Sequence, residues 1–400
     1  MKKLTIIIVL LISFVAKSQS IKEQILENIS EIKSVDIYSD DFSDLEVIGD
    51  AIGNAKIVFL GEQDHGDATT FEAKARLVKY LHEEKGFNVL AFESDFFNIN
   101  KKADEKQPVA EIIKDIYPIW TYCKQVTPFF NDYLKTQKES LIISGFDCQI
   151  GETSNQAKTD YLIVMKNYIS KNMDVSKIKN YPFFEKISIK ILNREKVKKS
   201  DKKIYFELLS EIINNIKNRK NFLFKSLENI YAYAKSDWYF FKEANRRDAQ
   251  MGENIIWLHK IKFPEEKIII WAHSAHLTRK IENKNGKRKN TYPEISAGEY
   301  VSNRLDSDLI YSIGFSSRTG RTNRINSLKG YNISKPKKES FETWVHSKKY
   351  NFAFVNFRGL KNTSEVFNMK GESHSNIEAK WLGCFDGMFY IDKMYPCVRK

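Results

Sequence analysis

Most of the familiar signatures of nucleophile, phosphate and cofactor chemistry are missing from this chain. No serine sits in G-x-S-x-G, so the nucleophile elbow of the α/β-hydrolases is not supported. No Walker A loop and no dinucleotide glycine fingerprint is present. H-E-x-x-H, the helical zinc motif, is absent, and so is the haem-attachment motif C-x-x-C-H. Four cysteines (Cys123, Cys148, Cys384 and Cys397) contain no CxxC and no zinc-ribbon spacing, and in 400 residues they do not make a disulfide scaffold. Cys384 and Cys397 are candidates to pair, a point the sequence leaves open. No internal repeat is visible.

What is present is enough for a folded core: 42% hydrophobic and 13% aromatic residues, with nothing that suggests disorder across the whole chain. Four hundred residues make one large α/β domain or two smaller ones. Residues 1–20 stand apart. Lys2 and Lys3 form a basic start, residues 4–16 are almost all apolar, and small and polar residues follow at 16–20. That is a secretory signal peptide in outline, and the apolar run is too short for a typical membrane span. The expectation is an exported protein, periplasmic or secreted, with no stable membrane span after cleavage and a mature domain over residues 21–400. Cleavage removes Lys2, Lys3 and Lys17, three charges out of a formal net charge of +13. The remaining excess is scattered. The clusters at 196–203 and 280–289 lack the glycine and aromatic interleaving of a nucleic-acid platform. They read as solvated surface, so no nucleic-acid partner is expected.

Along the mature chain, residues 21–34 have helical spacing (Ile21, Ile25, Ile29, Ile32), and 45–52 fit a second short helix. Residues 56–62 form a buried strand. Thr69 and Glu72 fit a capping box that starts a helix at Thr69 and runs it to Lys85, with Gly86 as the stop. Residues 89–93 form the next strand, which completes a unit of the right size for a parallel crossover. Helices are expected at 109–116 and 129–138, and a strand at 141–146 ending at Asp147. About 155–261 is long, helical and basic with no clear strand. Strands follow at 267–272, 309–315, 352–357 and 388–391, and 280–292 reads as a polar, mobile loop. The fold class is therefore α/β: a mostly parallel central sheet flanked by helices, with a mainly helical insertion.

Two segments about two hundred residues apart carry the chemistry. Gly61-Glu62-Gln63-Asp64-His65-Gly66 follows the first strand, and Trp271-Ala272-His273-Ser274-Ala275-His276 closes a later one. Three of the seven histidines thus fall at strand exits, where open α/β sheets bind ligands. Glu93 and Asp147 end two further strands. If these strands share one parallel sheet, Glu62, Glu93, Asp147 and His273 converge on one cleft. His65 then serves as a general base, steered by Glu62 or Glu93. The plainer reading is a structural histidine bonded to a glutamate in a turn. His273 and His276 converge only if the chain turns right after His273, because residues three apart on a strand face opposite sides. Arg76 reads most simply as an exposed ion pair with Glu72, one turn earlier. It could also orient a carboxylate of the site. Arg247 and Asp248 sit on an ordinary-looking amphipathic helix. An irregular H-x-x-H with nearby glutamates is a weak metal signal.

Taken in order, these residues resemble the erythromycin esterase family. The likeness rests on Gly61-Glu62-x-x-His65-Gly66, Arg76 in the next helix, and Glu93 closing the next strand. It continues through Gly145-x-Asp147, Arg247-Asp248-x-x-Met251-x-x-Asn254 and Trp271-Ala272-His273-x-x-His276. It spans roughly residues 45–315. It implies hydrolysis of an ester, the macrolactone in the named members, with His65 activating water and Glu62, Glu93, Arg76, His273 and His276 around it. On this basis Asp147, Arg247 and Asp248 are expected to contact a small-molecule ester substrate, with no cofactor and no metal. Ser274 stands where asparagine is common in the family, and export is a second departure. Two other readings stay open. One is a metal-dependent hydrolase of peptides or amides, with Glu62, His65, His273 and His276 as ligands. The other is a non-catalytic protein that binds haem or a small molecule.

Overall fold

The computed structural model describes residues 19–137, 140–239, 243, 245–288, 294–323, 330–360 and 364–400. The expected signal peptide therefore lies almost wholly outside the described residues, as does part of the basic loop at 280–292. The chain opens with α1 (Ile21–Glu27), β1 (Ile29–Ile32) and α2 (Glu46–Ile52). The sheet and its first crossover follow as β2 (Ile57–Glu62), α3 (Ala68–Lys85) and β3 (Val89–Asp95). Next come α4 (Phe96–Asp104), three short helices α5 (Val109–Ile113), α6 (Pro118–Thr121) and α7 (Leu134–Thr136), and β4 (Ile142–Asp147). Five helices then run without a strand: α8 (Asn155–Asn172), α9 (Tyr181–Leu192), α10 (Lys199–Asn215), α11 (Phe222–Trp238) and α12 (Asn245–Trp257). The chain returns through β5 (Ile268–His273), α13 (Ser274–Leu277), α14 (Ala297–Ser302), β6 (Ile310–Thr322) and β7 (Tyr331–Asn332). It ends with α15 (Phe341–His346), β8 (Phe352–Asn356), the hairpin β9 (Phe367–Lys370) and β10 (Asn376–Ala379), and β11 (Gly387–Met394).

The main sheet has the order β1-β8-β11-β6-β2-β5-β3-β4, with β7 added on β6. From β11 to β4 every neighbour is parallel, while β1, β8 and β7 join antiparallel. The central strands are unbroken apolar runs such as Ile57–Leu60 and Ile268–Trp271, buried throughout. That is the pattern of parallel strands covered on both faces. Helix α3 covers one face, with Phe71, Val78 and Leu81 in the core. Helices α12 and α14 cover the other, with Met251, Ile255 and Val301. The helices between β4 and β5 hold a core of their own around Phe184, Tyr205 and Tyr233. The chain passes from β2 to β3 and β4, then returns to place β5 between β2 and β3 and continues to β6 on the far side. The strand order thus reverses at β2 and β5, the place where such sheets bind ligands.

Four local expectations are corrected. The first helix stops at Glu27, capped by Asn28, because Ile29–Ile32 pairs as an edge strand with β8. Helix α3 begins at Ala68 rather than Thr69, and no side-chain cap closes it. Thr69 Oγ1 instead accepts the backbone N–H of Tyr395, 3.1 Å away. Phe129–Tyr133 winds as a π-turn before α7, so the expected helix at 129–138 is not regular. Cys397 bonds to Cys123 rather than Cys384, because residues 395–400 run beside the segment after α6. Cys148 and Cys384 are free and buried. Among the described residues no helix is long and apolar enough to cross a membrane.

Candidate active site

Strand register gathers the ionisable groups. Glu62 and His273 are direct partners on β2 and β5, and Phe92 lies beside Trp271, so Glu93 follows at the same edge. Asp147 ends β4 beside Asp95. His65 stands in the turn beyond Glu62, and α13 begins directly after His273, which brings His276 back over the strand ends. Helix α12 adds Arg247 and Asp248 from the helical region. Gly66 lets this turn close. A Cβ there would lie 1.2 Å from the Asn323 carbonyl oxygen, so no other residue fits.

The first half of the site is a carboxylate–imidazole pair. Glu62 is fully buried, and its Oε1 accepts the Trp120 indole N–H at 2.8 Å and lies 3.3 Å from His65 Nδ1. Its Oε2 is bonded to the ammonium of Lys74, a buried lysine on α3. Burial pushes the Glu62 carboxyl up, but Lys74 and His65 prevail and hold it below the ordinary glutamate value. Burial pulls Lys74 down to about 8 against the pull of Glu62. Glu62 is thus a fixed anion that takes the Nδ1 proton of His65 and leaves Nε2 with the lone pair. The His65 side chain is 31% exposed, the most open of this pair.

The second half is a charge network around His276. Its Nδ1 lies 2.7 Å from Asp248 and its Nε2 3.2 Å from Glu93. Burial disfavours its charge, but Asp248 and Glu93 raise it to about 9, so it is an imidazolium that donates to Asp248 and is ion-paired with Glu93. The Arg247 Nη1 contact to His276 Nε2 at 3.3 Å is then a meeting of two donors rather than a hydrogen bond. Arg247 grips Asp147 with two bonds, at 3.0 and 2.6 Å, and reaches Glu93 at 3.0 Å. Burial raises Glu93, but His276 and Arg247 take it down to about 2. The other Glu93 oxygen accepts the His273 backbone N–H at 3.0 Å. Glu93 therefore serves His276 and Arg247 and makes no direct bond to His65.

His273 lies between the halves, its ring 4.7 Å from that of His65. Its Nδ1 accepts the Ala275 N–H at 3.1 Å, so its Nε2 proton goes to the Gln63 carbonyl at 3.1 Å. Burial and the neighbouring His65 pull it down to about 3, which keeps it neutral. Both ring nitrogens are occupied, as are both nitrogens of His276. Among the described residues no group of three or more His, Cys, Asp or Glu is arranged to hold a metal ion.

Arg76 is placed elsewhere. It is buried against Asp44, with bonds of 2.7 and 3.0 Å, and donates to the Ser34 and Asp41 carbonyls. Neither an exposed pair with Glu72 nor a contact with the site carboxylates is formed. Sequence reasoning missed Lys74, Trp120 and a downstream clamp. Lys74 had a signal: it interrupts the apolar stripe Phe71, Val78, Leu81, where only a paired charge is tolerated. The clamp had none. The Gln63 side chain donates to the Lys370 and Gly371 carbonyls, at 2.8 and 2.9 Å, and accepts the Ser317 N–H at 3.1 Å. Asp67 takes the Nε2 proton of buried His374 at 3.0 Å, and His374 Nδ1 takes the Ser317 hydroxyl at 2.9 Å. The Cys397 N–H donates to the Gly66 carbonyl at 2.9 Å.

The arrangement holds a partly exposed imidazole, His65, backed by a fixed anion, and beyond His273 a second pair, His276 and Arg247, whose charges are met by Glu93, Asp147 and Asp248. A base that activates water and cations that receive developing negative charge are the parts hydrolysis needs. The family model described as erythromycin esterase matches residues 82–394. The YbfO protein of Bacillus subtilis (strain 168), whose name assigns it provisionally to the hydrolases, is 26% identical over 89% of this chain and 87% of its own length. Erythromycin esterase type II of Escherichia coli is 21% identical over 88% of this chain and 93% of its own. Among solved structures, an erythromycin esterase variant in an open conformation superposes with a TM-score of 0.70 at 16% identity, over 92% of this chain and 98% of that one. A Bacillus cereus protein gives a TM-score of 0.72 at 19% identity, over 95% and 98%. At these identities the two structures speak for the fold alone.

Proposed function

The chain belongs to the erythromycin esterase family and is a hydrolase, and from that premise we propose that it cleaves a carboxylic ester with water activated by His65. The observation that carries this reading is the Glu62–His65 pair. Glu62 fixes the Nδ1–H tautomer, which leaves the lone pair on Nε2 of a side chain that is 31% exposed. Water gives its proton to Nε2 as its oxygen attacks the ester carbonyl. The resulting imidazolium is stabilised by Glu62, and the oxyanion by Arg247 and His276; the adduct then collapses, the carbonyl re-forms, the ester C–O bond breaks, and His65 returns its proton to the leaving alkoxide. Proton transfer of this kind contributes roughly 10²–10⁴ in rate. His273 is held neutral and doubly bonded, which suits it to shape the site rather than to exchange protons.

Export is part of the same proposal. Its supports are the basic start, the short apolar run and the Cys123–Cys397 disulfide, which suits an oxidising compartment. A macrolide lactone is the first ester to test. Erythromycin incubated with the mature protein should gain one water by mass spectrometry, and the His65→Ala protein should leave it intact. If erythromycin stays intact, a panel of 4-nitrophenyl esters is the next substrate. Failure on the whole panel would refute the ester reading, and turnover by His65→Ala equal to that of the native protein would refute His65 as the base.

A further inference from the structure

Beyond β11, residues 395–400 run as a strap between two segments that each reach the Glu62–His65 pair. Their backbone groups alternate in direction, as on any extended strand. Those of Tyr395 and Cys397 meet the turn after His65. The Ala68 N–H donates to the Tyr395 carbonyl at 3.0 Å, and the Cys397 N–H to the Gly66 carbonyl at 2.9 Å. Those of Pro396, Val398 and Lys400 meet the segment after α6. The Gln125 side chain donates to the Pro396 carbonyl at 3.1 Å and accepts the Val398 N–H at 3.0 Å. The Lys124 N–H donates to the Val398 carbonyl at 2.7 Å, and the Lys400 N–H to the Tyr122 carbonyl at 3.0 Å. The Cys123–Cys397 disulfide locks the strap to this second segment.

Each segment leads directly to the pair. Gly66 follows His65 in the chain. Cys123 lies just beyond Trp120, and its N–H donates to the Trp120 carbonyl at 3.1 Å. The Trp120 indole donates to Glu62 Oε1, the same oxygen that meets His65 Nδ1. Its ring also stands edge-on to the His65 ring, with centroids 5.8 Å apart. Trp120 therefore touches both members of the pair. The strap lies at the surface, with Tyr395 and Val398 each 53% exposed, while Cys123 and Cys397 are buried.

We infer that this strap, closed by Cys123–Cys397, positions the Glu62–His65 pair, and that the reactivity of the pair depends on the oxidised disulfide. The strap residues are positioning residues, acting through Gly66 on one side and Trp120 on the other. Reduction is an exchange with a dithiol. One thiolate of the reductant attacks a cystine sulfur, and its second thiol then closes the reductant's own disulfide. Two electrons pass to the protein, and Cys123 and Cys397 each take up a proton. The strap is then held by hydrogen bonds alone, and the two segments are free to shift against each other. A misplacement of about 1 Å in a catalytic group costs on the order of 10²-fold in rate. The kinetic part of this inference rests on the ester reading above; the structural part does not.

The test is reduction of the native protein with dithiothreitol, below its unfolding temperature and with circular dichroism confirming the fold. The first readout is hydrogen exchange of the indole N–H groups by NMR, which needs no turnover. The Trp257 indole, which donates to the Lys220 carbonyl in the helical region at 3.0 Å, is the internal reference. Exchange at Trp120 should quicken at least about tenfold more than exchange at Trp257, as local opening does. The second readout is kinetics on 4-nitrophenyl acetate. Here kcat should fall roughly 10–10²-fold with KM within about twofold, and reoxidation should restore it. A disulfide that only added stability would speed both indoles alike and leave the folded enzyme its native kcat; either result overturns the inference. If reduction unfolds the protein, Gln125→Ala takes its place, since it keeps the disulfide and removes two bonds of the strap. A smaller change in the same direction is expected there, and native exchange with native kcat overturns the inference. If the native protein hydrolyses no ester, the ester reading falls and the indole comparison alone decides.

Discussion

Replacing Lys74 by methionine tests the site at its least visible point. Lys74 is fully buried, pairs with Glu62, lies 3.3 Å from the Ala272 carbonyl and stacks 4.4 Å over the Trp271 ring. Methionine keeps much of that volume but takes away the charge. An unpaired buried carboxylate costs roughly 3–5 kcal/mol. Glu62 escapes the cost by taking a proton, since lone buried glutamates titrate near ~8–9. A rise of about four pKa units corresponds to about 5 kcal/mol, the upper end of the pair cost. The sign of the pH dependence then reverses. In the native protein Glu62 is depressed, so its contribution is present above the ordinary glutamate value and is lost as pH falls through the depressed one. In Lys74→Met it is raised, so the folded state keeps a proton the unfolded chain has shed, and stability falls as pH rises. Urea unfolding at steps from pH 5 to pH 8 measures this. The variant should lie nearest the native curve at the acid end and fall behind by several kcal/mol at the other. The comparison stops at 8 because the native lysine itself begins to lose its charge there. A protonated Glu62 is also no anion for His65, so kcat should drop roughly 10²–10⁴-fold. Parallel stability curves with native kcat would refute the account of the Glu62–Lys74 pair.

Three further outcomes are expected. His276 is raised to about 9, so its contribution to stability is complete below the ordinary histidine value and is lost as pH rises through 9. The pH–rate profile should fall there too, and Asp248→Asn should move that fall to lower pH; a limb that does not move separates His276 from the oxyanion. Arg76→Met should cost roughly 3–5 kcal/mol by stranding Asp44, while the folded protein keeps its kcat/KM; a selective kinetic loss would return Arg76 to the catalytic set. Reduction of Cys123–Cys397 should lower stability by on the order of 2–5 kcal/mol, and thiol titration of the unreduced, unfolded protein should find the two free thiols Cys148 and Cys384.

The parallel sheet was legible because its strands are continuous apolar runs, each closed by an ionisable group. Glu62, Glu93, Asp147 and His273 announced one edge before any coordinates placed them there. The turn after His273 was legible only as a condition, and α13 meets it. What escaped has a common physical cause. Ile29–Ile32 has helical spacing but is drawn into β8, a partner far away in sequence. Arg76 and Lys74 sit two positions apart on one helix, and only tertiary packing decides that Lys74 faces Glu62 while Arg76 faces Asp44. Cys123 and Cys397 are 274 residues apart, and no spacing rule joins them.

The downstream clamp bears on how this protein gains its activity as it folds. The turn that carries His65 is tied by Ser317 at a separation of 254 residues from Gln63, by Lys370 at 307 from Gln63, and by His374 at 307 from Asp67. Its own local bonds, such as Asp64 N–H to the Asp67 carboxylate, shape the turn but do not fix it against the rest of the site. Contacts of this range are slow to form, because the entropy of closing the chain is met before the contact rewards it. Helices such as α3 and α8 need no such closure. On dilution from denaturant, helical circular dichroism should therefore return before hydrolase turnover, and a fragment that stops short of Lys370 would hold Glu62, His65 and both distal histidines yet lack the Lys370 and His374 ties on the turn that carries His65.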